Sequence, residues 1–340
     1  MPAPTGSSPR RSRTVLTGIS SRAWEHPADR GALIAMRRLR GFDTILRALS
    51  SMVHERGVRL ELLGSAVRVD ERQFGRLHRL LVEACTTLDA PSVPAMYVVA
   101  DPYLNARTLG LDRPSIVVNS ALVDLLSEEE LRFVIGHELG HALSGHAVYQ
   151  TMLEWILSLS GLLSAIPVGG IAFRVIQSAL LEWSRKAELS ADRAGLLATQ
   201  DPQTAFRVHM QLASGGHLED LDTTSFFAQG ASYDADGDLR ESFLKVTMLA
   251  EQTHPFAVIR ATELRRWVES GEYTAYLSGA YPRREDDPTA SVSDAARDAA
   301  RGYATAFAQT GDALGKLVHD SAGVLGTLKG WWDERWGREG

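Results

Sequence analysis

His137-Glu138-Leu139-Gly140-His141 is the stretch on which the reading of this chain turns. Ten residues upstream, Ser127-Glu128-Glu129-Glu130 has the form of a capping box. In such a box the serine hydroxyl takes the third backbone amide, and the glutamate three positions on reaches back to the cap. A helix is therefore expected from about Glu128 to Tyr149, with the His-Glu-x-x-His string in its middle. Residues four apart on a helix face the same side, so both imidazoles can ligate one cation. Glu138 then sits within reach of a metal-bound water. The bland alternative is a pair of core histidines.

Two histidines and a water leave a tetrahedral zinc one protein ligand short. His146 is a candidate, but it follows His141 by five residues. Zinc peptidases that extend the helical motif to a third histidine place it at six. His146 is read instead as a helix-end residue facing the dipole or water. Glu188 lies 47 residues beyond His141 on another expected helix, and Asp192 follows it one turn later on the same face. One carboxylate can bind the metal while the other accepts the outer N–H of a ligating histidine. An exposed pair of helix carboxylates would look the same taken alone.

With these motifs in hand, the chain resembles the HtpX-like and CAAX prenyl protease type of zinc metallopeptidase, in the glutamate-zincin group. The resemblance rests on Val134 to His141, Glu188-Leu-Ser-Ala-Asp192, Asn105-Ala106, Val117-Val118-Asn119, and Thr253-His254-Pro255 followed by Arg260. It covers about Tyr97 to Leu264. It implies His137, His141 and Glu188 as ligands of one Zn²⁺ per chain, Glu138 as general base on the zinc-bound water, and Asp192 as the outer partner of a ligand. It also implies that the extended segment Ile116, Val117 and Val118, with Asn105 and Ala106 beside it, is an edge strand to which a substrate backbone adds. The tetrahedral oxyanion needs further donors, and His254 and Arg260 are expected to supply them. Proline at 255 disfavours helix at His254. This histidine could equally hold zinc's open position in the resting enzyme.

Outside these motifs the chain is ordinary in bulk. Its 340 residues are 44% hydrophobic and 23% charged, which excludes collagen-like and wholly disordered classes. A formal charge of −6 provides no global field for nucleic acid. The single cysteine, Cys85, closes no internal disulfide, and the first 13 residues lack the apolar run of a secretion signal. An intracellular setting is expected, in the cytoplasm or at the cytoplasmic face of a membrane.

The fold expected is mainly α with a small β-sheet, a zincin-like core with a hydrophobic helical hairpin between the two metal-ligand helices. Its parts are a disordered tail over 1–20, a helical region over 21–94, the peptidase domain over 95–277, a linker over 278–298, and a helical tail over 299–340 with Trp331, Trp332 and Trp336. Trp155 to Phe173 is uncharged over 19 residues and broken by Pro167-Val-Gly-Gly170. Its first arm, Met152 to Ile166, is 15 residues, about 22 Å of helix against a hydrocarbon core of roughly 30 Å. The hairpin over 152–181 is thus expected either to associate peripherally with a membrane or to pack in the core. The activity expected is zinc-dependent endoproteolysis of protein or peptide substrates. The alternatives are an idle membrane-associated scaffold with a structural zinc site, and a zinc hydrolase of non-peptide substrates. A structural site would have no use for Glu138. The oligomeric state is open.

Overall fold

The computed structural model describes residues 12–39, 42–43, 46, 55–163, 169–235 and 256–308. His254, Pro167 and the three C-terminal tryptophans lie outside the described residues. The fold is mainly helical with one four-stranded sheet.

The capping box forms as the sequence predicts, with the Ser127 backbone N–H donating to Glu130 Oε2 at 2.9 Å. It starts the motif helix, Glu128–Leu143. This helix stops earlier than its apolar period implies, because Gly145 takes a left-handed conformation (φ +72°) that a side chain would resist. The chain turns there and restarts as His146–Leu163. The second arm of the hairpin is continuous with the ligand helix, Gly169–Thr199.

The motif and ligand helices meet almost backbone to backbone. A Cβ on Gly195 would lie 2.8 Å from the Phe133 carbonyl oxygen, and one on Gly136 2.5 Å from Ala198 Cβ. This contact belongs to the main core, which the helix Gly75–Thr87, the helix Pro202–Ser214 and the helix Ala257–Glu269 also enter.

The sheet comprises β1 (Val67–Arg68), β2 (Ala95–Val99), β3 (Ala106–Leu109) and β4 (Ser115–Asn119), in the order β1-β2-β4-β3. β4 runs parallel to β2 and antiparallel to β3. The expectation of an edge strand at Ile116–Val118 is therefore corrected. These three residues are fully buried in an inner strand, and the edge strand beside it is β3. An unbroken β-branched run suits a strand covered on both faces, whereas β3 turns Arg107 partly outward.

The expected tail is corrected over its described residues, 12–20, and the expected linker with it. Leu16 and Ile19 are buried, and the backbone around them bonds to Thr87, Pro282 and Arg284. Residues of the expected linker thus close against the N-terminal segment. The helix over 294–308 follows, with Ala296 and Ala299 against Gly31. These apolar anchors are isolated within polar sequence, so composition hides them.

Among the described residues no helix is long and apolar enough to cross a membrane. Met152, Leu153 and Ile156 on one arm, and Ile176, Ala179 and Leu180 on the other, are buried in a second core with Ala32, Ala35 and Met36 of the helix Pro27–Arg37.

If the backbone contact at Gly195 sets the helix spacing, Gly195→Ala should destabilise the metal-free protein by ~1–3 kcal/mol, the usual cost of overpacking. Urea unfolding checks this, and an unchanged midpoint would show that the spacing is slack.

Candidate metal centre

His137 and His141 lie on one side of the motif helix, and Glu188 reaches them from the ligand helix. The Nε2 atoms of the two histidines are 3.2 Å apart. Glu188 Oε2 is 3.4 Å from His137 Nε2, and Oε1 is 3.2 Å from His141 Nε2. All three side chains are buried, and their donor atoms lie within 4.8 Å of one another. Two imidazoles and one carboxylate are a donor set that suits a catalytic zinc with one position left for water or substrate. The residues present therefore fit the metal.

Behind the donors stands a buried network. Asp192 Oδ1 lies 3.0 Å from His137 Nδ1. Arg260 donates to both Asp192 oxygens, at 2.8 and 2.6 Å, and its Nη1 is 3.0 Å from Glu188 Oε2. Burial would raise the Asp192 carboxyl, but Arg260 and His209 hold it well below the usual carboxylate range. His209 packs edge-on to Phe133 and approaches Asp192 Oδ1 at 3.5 Å, while burial pushes it down to about 4. Arg260 does not line the cleft as an oxyanion donor would. Its guanidinium sits behind the ligands with its charge committed to two carboxylates.

Glu138 opens into a cleft of about 130 Å³ bordered by Asn105, Ala106, Thr108, His141, Gln150 and Glu188. Ile116, Val117 and Val118 do not border it. Thr108 on β3 donates to Glu138 Oε2 at 2.7 Å. Burial pushes the Glu138 carboxyl up to about 7, against the opposing pull of His137 and Thr108.

His146 does stand at a helix end, opening the helix His146–Leu163, but its side chain is buried and faces other side chains rather than water. Gly145 breaks the helix, and the restarted chain brings His146 Nδ1 within 3.0 Å of His141 Nδ1. Its Nε2 is 3.2 Å from Asp29 Oδ2, and all three groups are buried. The glycine was the available signal for His146. Thr108, His209 and Asp29 come from distant elements and carry no local signal.

The fold and this arrangement define a metallopeptidase. Residues 71–268, more than half of the chain, match Peptidase family M48, and the chain belongs to that family. Plastoglobule-localized metallopeptidase 48 of Arabidopsis thaliana chloroplasts is 36% identical over 262 residues, covering 76% of this chain and 75% of that protein. A protease HtpX homolog of Burkholderia lata is 27% identical over 165 residues, covering 41% of this chain and 56% of the homolog. One from Burkholderia multivorans is 27% identical over 164 residues, with the same shares covered. No solved structure gives a significant match.

In the metal-free protein burial alone would lower His137, but hydrogen bonds to Asp192 and Glu188 raise it to about 9. Burial lowers His141 to about 4. His137 is thus protonated at neutral pH and must lose its Nε2 proton to bind a cation, so zinc affinity should rise as pH rises toward 9. Titration calorimetry near pH 7.5, in buffers of different ionisation enthalpy, should show release of about one proton per zinc bound. No proton release would mean that His137 is already neutral or is not a ligand.

Proposed function

We propose that this chain is a zinc-dependent endopeptidase holding one Zn²⁺ through His137, His141 and Glu188 and cleaving protein or peptide substrates. The observation that carries this reading is the convergence of three buried donors on one point, beside a fourth residue, Glu138, that faces the cleft. When bound, zinc supplies Lewis acidity to a water and to the scissile carbonyl.

The chain's own groups do the rest. Glu138 takes a proton from the attacking water and returns it to the departing amine. Thr108 occupies Oε2 and so leaves Oε1 for the water. Burial raises this carboxyl in the metal-free protein, the direction that suits a group that both takes and returns a proton near neutral pH. Among the described residues β3 pairs with β4 alone, and all of β3 together with Asn105 just before it borders the cleft. An extended substrate adds to that edge as another strand, its backbone amides satisfied by β3. Asp192 holds His137 from its outer nitrogen, and Arg260 keeps Asp192 ionised and in place. His254 is assigned to the oxyanion or to the open position of the metal.

The decisive comparison sets Glu138→Gln against Glu188→Ala in the purified full chain. Glu138→Gln should keep zinc by elemental analysis and lose cleavage of an unfolded protein substrate by about 10²-fold or more, a typical loss for a general base. Glu188→Ala should lose zinc and activity together. Cleavage by zinc-loaded Glu138→Gln at the wild-type rate would defeat the proposal.

A further inference from the structure

We propose that Asp29 and His146 form a relay that fixes the tautomer of His141, completing the metal site with a residue from outside the family-matched segment. The inference rests on the reading of His141 as a zinc ligand. A neutral imidazole that offers Nε2 to a cation must carry its proton on Nδ1, and that proton needs an acceptor. His137 has one in Asp192. For His141 the atom facing Nδ1 is another imidazole nitrogen, His146 Nδ1, at 3.0 Å. One of the two must donate and the other accept.

Asp29 decides which. Its carboxylate is 2% exposed and takes three donors: Trp183 Nε1 on Oδ1 at 2.9 Å, Ser190 Oγ on Oδ2 at 2.5 Å, and His146 Nε2 near Oδ2 at 3.2 Å. An ionised carboxylate only accepts, so in the neutral imidazole of His146 the proton resides on Nε2 and Nδ1 is left as an acceptor. His141 must then donate from Nδ1, which leaves its Nε2 lone pair facing Glu188 Oε1 and the metal position. Gln150 Nε2 also approaches His141 Nδ1, at 3.3 Å, and in this amide orientation an N–H is a donor that does not take this proton. Asp29 stands in the first turn of the helix Pro27–Arg37, whereas the family match begins at residue 71. The N-terminal helix therefore acts on the site through a hydrogen-bond chain as well as through packing.

Asp29→Asn reverses the chain without changing its shape. Trp183 N–H can only donate, so it holds the amide oxygen of the new side chain and turns the amide N–H₂ toward His146. His146 then carries its proton on Nδ1, and that of His141 is driven onto the ligating nitrogen. Competition with a zinc chelator on the full chain should show zinc affinity lower by about 10- to 100-fold, the usual range for an outer partner of a ligand. His146→Leu should show a similar loss, and His146→Asn, whose amide oxygen can accept, should recover most of it. In zinc-loaded wild type, nitrogen-15 NMR should place a slowly exchanging proton on His141 Nδ1, and His146→Leu should lose that signal. A purely packing role for Asp29 or His146 would lower the melting temperature without moving that proton. Circular dichroism of the metal-free variants establishes folding, and the His146 pair decides the matter if Asp29→Asn does not fold. Wild type that takes up no zinc would overturn both this inference and the peptidase reading. Unchanged affinity in Asp29→Asn and His146→Leu, beside a wild type that binds zinc and cleaves substrate, would overturn the relay alone.

Discussion

Where Gly136 faces Ala198 and Gly195 faces the Phe133 carbonyl, the motif and ligand helices approach as closely as backbones allow. Side chains one turn apart on each helix then project into the same small volume, which is how His137 and His141 come to meet Glu188 and Asp192. A wider crossing filled by leucine-sized residues would hold the same four groups several ångströms apart. The spacing also removes water from the network, so each charge must be answered by protein. Arg260 answers Asp192 and Glu188, at a site where an unpaired buried carboxylate would be strongly destabilising. In the metal-free state His137 carries a further positive charge in the same place. A divalent cation can take over that role, which couples metal uptake to proton release and to the stability of the crossing itself.

The two histidines of the candidate site are supported from opposite sides by different parts of the chain. His137 leans on Asp192 and Arg260, both within the family-matched residues. His141 leans on His146 and, through it, on Asp29 in an N-terminal helix that shares a core with the hairpin. The hairpin helices do more than separate the ligands: their buried faces with Trp183 anchor the helix that carries Asp29. Thr108 brings the sheet into the same arrangement by holding Glu138. Glu138, the three candidate donors and β3 are thereby tied to one another through side chains rather than through loops.

What the sequence made legible follows from how locally each feature is determined. The motif helix, its cap and its histidine spacing are set by neighbours within one or two turns, so they could be read directly. Glu188 and Asp192 were legible because their own four-residue spacing matches that of the histidines. The edge of the sheet was not, since strand order depends on pairing between distant segments, and the β-branched run Ile116–Val118 lies in the inner β4. Arg260 was placed in the site but on the wrong side of it, because its orientation is set by buried carboxylates 68 and 72 residues away in the chain. The partners of His146 are hidden for a smaller reason: Gly145 takes a positive φ that turns the next residue back toward His141. The N-terminal segment and the expected linker look like solvent-exposed chain by composition, and only their pairing with each other reveals Leu16 and Ile19 as core.

The central claim is that a single zinc sits at the crossing of the two helices. Diffraction from crystals of the zinc-loaded full chain, collected on both sides of the zinc absorption edge, tests it most directly. One anomalous peak per chain is expected, bonded to Nε2 of His137, Nε2 of His141 and the carboxylate of Glu188, at roughly 2.0–2.2 Å from each. A loaded crystal with no peak at that point, or with its zinc held by other side chains, would contradict it.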